Sequence, residues 1–86
     1  MNNPESFIIT LRCAERGIEI DLELPSSLII KELRGKILDI LKNLYPEDFE
    51  TWLECEILHN CIALMDSETL LSSGIFDGQY IEVVKI

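Results

Sequence analysis

The 86-residue sequence predicts an α+β fold in which one helix packs across a mixed sheet of four to five strands. Three observations predict it. Two alternating apolar runs joined by a short Gly-containing turn open the chain, the pattern of a hairpin. Over residues 29–44 the apolar period changes from two to about 3.6, the pattern of an amphipathic helix. Alternation then returns and persists to the closing segment Tyr80–Ile86.

The first run places Phe7, Ile9, Leu11 and Cys13 on one face. After a turn at residues 14–17, Ile18, Ile20, Leu22 and Leu24 alternate with Glu19, Asp21 and Glu23. Pro25-Ser26-Ser27 breaks the strand and offers hydroxyls near a helix start. The helix, about 24 Å long for sixteen residues, carries a stripe of Ile30, Leu33, Ile37, Ile40, Leu41 and Leu44. Glu32 and Lys36 are spaced as an i,i+4 pair. Gly35 costs about 1 kcal/mol relative to alanine in a helix interior, so that position calls for a small residue. Pro46 closes the helix. Residues 47–51 form a polar connector, and Trp52–Leu58 alternates with Leu53, Cys55 and Ile57 inward. His59-Asn60 signals a turn before a short strand, Cys61–Met65. Residues 66–73 suggest a brief helical turn and 74–78 a tight connection, before a last strand with Ile81 and Val83 on one face.

The whole chain, 1–86, reads as a single domain, with residues 1–5 expected to be disordered. A hairpin and a helix cannot bury their apolar faces alone, so the later strands must complete the sheet under the same helix. A right-handed crossover places the last strand beside the first and parallel to it, at the sheet centre. That order is a β-grasp.

Thr69-Leu70-Leu71-Ser72-Ser73-Gly74-Ile75-Phe76-Asp77-Gly78, leading into Gln79–Val83, resembles the turn before the last strand of ubiquitin-like proteins. Its Gly-Ile-x-Asp-Gly form, with Leu24-Pro25, Ile30-Lys31 and Leu33, resembles the YukD/EsaB family of small bacterial ubiquitin-like proteins associated with type VII (WXG100, or ESX) secretion. The resemblance implies a non-catalytic accessory or regulatory protein of a Gram-positive bacterium that binds a component of the secretion machinery. The alternatives are a ubiquitin-like sulfur carrier or protein modifier, or an unrelated β-grasp interaction domain. A carrier needs a flexible Gly-Gly end, whereas this sequence finishes Glu82-Val83-Val84-Lys85-Ile86, so the carrier reading is disfavoured.

Composition narrows the partner. The formal net charge is −9, with 48% apolar residues. So acidic a surface repels phosphate backbones and anionic lipids. A basic or apolar protein surface is the expected partner, not nucleic acid or membrane. Residues 29–44 carry +2, four cations against two carboxylates, which leaves −11 for the rest. No basic-then-apolar leader and no run long enough to span a bilayer is present, so a cytoplasmic location is expected.

No cofactor or metal is expected. Cys13, Cys55 and Cys61 are odd in number and lack a disulfide framework. Cys55, His59 and Cys61 fall short of the four regularly spaced ligands of structural zinc. Glu47, Asp48, Glu50, Glu54 and Glu56 lack the alternation and glycine of a calcium loop. His59, the single histidine, lies in a predicted turn without a nucleophile beside it, so catalysis is not expected.

The candidate protein-binding residues lie on the uncovered sheet face. Ile8, Tyr80 and Val84 should form a small apolar patch there. Glu19, Asp21 and Glu23 line the exposed side of strand two, where they guard an edge against aggregation and are available for recognition. Trp52 is placed either to join the patch or to cap the core. Glu56 is expected on the outward side of strand three, where ubiquitin has an aliphatic residue.

Overall fold

The computed structural model describes residues 5–86. Most of the expected disorder at residues 1–5 therefore lies outside the described residues. Glu5 itself is placed, and its carbonyl accepts from the Ser26 N–H at 3.0 Å. The elements are β1 (Ser6–Cys13), β2 (Ile18–Pro25), α1 (Ile30–Leu44), α2 (Pro46–Phe49), β3 (Cys55–His59), β4 (Ile62–Ala63) and β5 (Tyr80–Lys85). One turn of 3₁₀ helix at Ala14–Arg16 closes the β1–β2 hairpin.

The sheet order is β2-β1-β5-β3-β4. As the topology argument requires, β5 lies between β1 and β3. It is parallel to β1, with Thr10 opposite Tyr80 and Arg12 opposite Glu82. It is antiparallel to β3, with Glu56 opposite Val84. Phe7, Ile9, Leu11, Cys13, Leu24, Ile57, Ile81 and Val83 are buried on the face beneath α1, as alternation predicts.

The helix stripe is shifted from the expected one. Ile30, Leu33, Ile37 and Leu41 are buried as predicted, but Leu38 joins them, Ile40 is half-buried and Leu44 is 55% exposed. Leu38 is on the side of α1 toward the segment entering β3, where it lines a cleft with Leu53 and Cys55. The serine hydroxyls do not cap α1. Its orphan donors go to backbone instead, Ile30 N–H to the Glu68 carbonyl at 2.7 Å and Lys31 N–H to that of Asp66 at 3.2 Å.

Three further expectations are corrected or narrowed. Strand three begins at Cys55 and not at Trp52, and Leu53 is 88% exposed rather than inward. The alternation read there belongs partly to the turn leaving α2, where the Trp52 N–H donates to the Phe49 carbonyl. The strand at Cys61–Met65 contracts to Ile62–Ala63, because Asn60 and Cys61 both take positive φ (52° and 66°) in the turn. The brief helical turn expected at residues 66–73 narrows to its second half, where the Ser73 N–H donates to the Thr69 carbonyl at 3.0 Å, and a bridge between Ile29 and Thr69 joins it to the residue before α1.

The lead-in to β5 explains the Gly-Ile-x-Asp-Gly pattern. Leu70 and Ile75 are fully buried, and the Ile75 N–H donates to the Leu70 carbonyl at 2.9 Å. Asp77 Oδ1 accepts from the Ile8 N–H at 2.6 Å, standing in for a strand neighbour that has not yet begun. Gly78, at φ 88°, then returns its own N–H to the Ile8 carbonyl at 2.9 Å. A side chain is strained at that φ.

Candidate protein-binding face

Residues directly opposite one another in a ladder share a face, so the register assembles the uncovered side of the sheet. Ile8 stands opposite Glu23, Thr10 between Asp21 and Tyr80, and Arg12 between Glu19 and Glu82. Val84 faces Glu56, and Leu58 lies between Glu82 and Ala63. The predicted acidic and apolar candidates therefore occupy one surface.

They do not form one patch. Ile8 is 47% exposed and diagonal to Tyr80. Val84 is four residues further along β5, about 13 Å at the usual strand rise. Between them runs a charged row of Glu19, Arg12 and Glu82. Arg12 spreads its guanidinium 4.0 Å over the Tyr80 ring, and its Nε lies 3.2 Å from Glu19 Oε2 without hydrogen-bond alignment. The result is two apolar islands, Ile8 with Tyr80 and Val84 with Leu58, separated by charge. Leu58 and Arg12 were missed by sequence reasoning. Arg12 was recoverable from β1 alternation, whereas Leu58 needed the β3–β5 register.

The β2 carboxylates are held in place from β1. Ser6 Oγ donates to Glu23 Oε2 at 2.6 Å and Thr10 Oγ1 to Asp21 Oδ1 at 2.7 Å. These contacts fix where the charges stand while leaving the side chains exposed. Glu56 turns away around the edge of β3, where Arg34 Nη1 approaches to 3.3 Å and also meets Asp66 Oδ1 at 2.5 Å. Among the described residues, that leaves Glu19, Asp21, Glu23 and Glu82 on the face against Arg12. Trp52 takes the core alternative, fully buried with its ring edge-on to Phe49 at 4.8 Å.

Among the described residues no cluster of three His, Cys, Asp or Glu side chains could hold a metal ion. Cys55 points into the core, whereas Cys61 is exposed at the turn. Burial pushes the Cys55 thiol from its ordinary 9.0 up to about 11, and burial also raises Cys13. A raised folded-state pKa keeps the thiol protonated while the unfolded chain ionises. The associated stability is fully present below pH 9.0 and is lost as pH rises through about 11. The urea midpoint should therefore fall between these pH values, and less so in Cys55→Val. An equal fall in both proteins would assign the effect elsewhere.

Among the described residues no helix is long and apolar enough to cross a membrane.

No protein-family profile matches the chain. No curated protein matches it either. Solved structures do. The chain is similar to the EccD5 ubiquitin-like domain from Mycobacterium xenopi, at 13% identity and TM-score 0.78, covering 96% of this chain and 97% of that one. It is similar to part of a subunit of the MycP5-free ESX-5 inner membrane complex, at 18% identity and TM-score 0.79, covering 96% of this chain. It spans 21% of that subunit. It is also similar to Caldiarchaeum subterraneum ubiquitin, at 24% identity and TM-score 0.70, covering 94% of each chain. The fold is ubiquitin-like.

Proposed function

We propose that this chain is a non-catalytic, protein-binding component of a type VII (ESX/WXG100) secretion system, related in role to the YukD/EsaB proteins and acting in the cytoplasm. The observation that carries the binding mode is the open sheet face, where four carboxylates stand against one guanidinium between two apolar islands. A basic surface with apolar side chains flanking its charge complements that layout. The biological assignment is supported by the likeness to the EccD5 ubiquitin-like domain, which the chain matches over nearly the full length of both.

The partner on this view is a cytosolic portion of a secretion-machinery component. Steering by the acidic face speeds encounter and weakens with salt, while burial of Ile8, Tyr80, Leu58 and Val84 sets the lifetime of the complex. Glu19, Asp21 and Glu23 contribute mainly to the first of these.

Deleting the gene in its own host should abolish export of small WXG100 substrates. Complementation with a variant carrying Ile8→Asp and Val84→Asp should fail although the protein remains folded, because each buries a carboxylate against apolar surface. Normal export in the deletion strain would overturn the assignment to secretion. Full complementation by the double variant would overturn the choice of face.

A further inference from the structure

Two features of the sequence have no explanation inside the folded chain, and they meet at one place. Gly35 sits mid-helix, where glycine weakens a helix, yet a Cβ added there would meet nothing within 4 Å. No neighbour among the described residues requires the small residue. Leu53 projects 88% exposed although its surroundings in sequence alternate as a strand. Both line a cleft of about 280 Å³ between α1 and the segment entering β3, together with Leu38, Ile86 and the exposed carboxylate of Glu54. Cys55 closes its wall with a thiol that burial keeps protonated, so it adds an apolar surface and no charge.

The charge around this cleft differs from the rest of the molecule. Among the described residues, the ion pairs are Arg12 with Glu19 and Arg34 with Glu56 and Asp66. Arg34 is thus already engaged. Lys31, which also lines the cleft, and Lys36 and Lys42 further along the same helix, are unpaired among the described residues. Glu32 and Lys36 do not form their expected pair. The helix carries +2 in a chain of net −9, and the cleft opens on that helix, with Lys31 and Arg34 on the α1 side against Glu54 on the other wall.

We propose that the cleft is a second docking site, which receives an apolar side chain from an acidic amphipathic helix of a partner protein. Gly35 leaves room for that side chain over α1, Leu38 and Leu53 flank it, and Lys31 and Lys42, eleven residues apart on one helix stripe, meet carboxylates of the incoming helix. The site is separate from the open sheet face and has the opposite charge preference, so the domain can bridge two chemically different partners.

The probe is a synthetic amphipathic peptide of about 18 residues, long enough to be helical when docked, with a leucine stripe and glutamates on the other face. A matched peptide carries lysine at every glutamate. The overall charge of the domain favours the lysine peptide, so the two forces predict opposite orders. At the cleft, read from amide shift changes at Lys31, Gly35, Leu38 and Leu53, the acidic peptide should bind at least tenfold tighter than the lysine peptide. Gly35→Leu fills the cleft and Leu53→Asp charges it; each should lower that affinity at least tenfold with an unchanged or higher melting temperature. Val84→Asp should bind the peptide as the parent does. Equal or larger shifts at Lys31, Gly35, Leu38 and Leu53 with the lysine peptide, unaltered acidic-peptide affinity in Gly35→Leu, absence of acidic-peptide binding at millimolar concentration, or acidic-peptide shifts confined to Tyr80 and Val84 would each overturn the proposal; lysine-peptide binding that shifts only Tyr80 and Val84 supports the open face and leaves the cleft to the acidic peptide.

Discussion

Trp52→Ala should lower the unfolding free energy by about 3–5 kcal/mol, the usual cost of emptying a large aromatic site. For a chain of this length, total stability is on the order of 4–13 kcal/mol at typical values per residue. The variant should therefore be mostly unfolded at the low end of that range. The reason is the site's geometry. Trp52 is fully buried, its ring stands edge-on to Phe49 at 4.8 Å, and Phe49 in turn meets Tyr45 at 6.4 Å. This aromatic chain ties the end of α1 to the start of β3. The indole Nε1 is buried without a hydrogen-bond partner among the described residues, so its loss recovers a little of the penalty. Trp52→Phe should consequently cost less than half as much. Urea denaturation followed by far-UV circular dichroism measures both. A loss below about 1 kcal/mol for the alanine variant would remove the aromatic cluster from the core.

Leu70→Ala ranks second, at about 2–5 kcal/mol. Leu70 is fully buried at the bend that returns the chain to α1, beside the Ile29–Thr69 bridge. Its backbone is held by a local network. The Thr69 N–H donates to Ser72 Oγ at 2.8 Å, the Ser72 N–H donates to Thr69 Oγ1 at 3.0 Å, and Ser72 Oγ donates to Glu68 Oε2 at 2.6 Å. Those bonds are exposed, so Ser72→Ala should cost only about 1 kcal/mol. The contrast matters: if the serine variant loses as much as the leucine variant, hydrogen bonding rather than apolar burial anchors this bend. Chemical denaturation of the pair decides it.

Legibility from sequence followed the strength of the local period. In β1, β2 and β5 the alternation is long enough to assign every face, and the inward residues Ile9, Leu11, Leu24, Ile81 and Val83 are all buried. The central, parallel position of β5 followed from topology and handedness alone. The approach to β3 was not legible. Pro46–Phe49 is too short for a helical period to register, and its turn places Trp52 inward and Leu53 outward with no sequence mark of the reversal. On the open face, the acids of β2 were readable because they belong to one strand. The split of the apolar surface into two islands was not, since it depends on which residues of β1, β5 and β3 stand abreast.

The parallel contact of β1 with β5 joins residues about seventy positions apart. During synthesis, the β1–β2 hairpin and the β3–β4 ribbon emerge as two half-sheets with nothing between them, each with one greasy side. The sheet cannot be completed until residues 80–85 have been made. Such distant pairing is slow and leaves sticky surface uncovered meanwhile. The exposed carboxylates of β2 are made before β5, and like charge of that kind opposes association between incompletely paired copies.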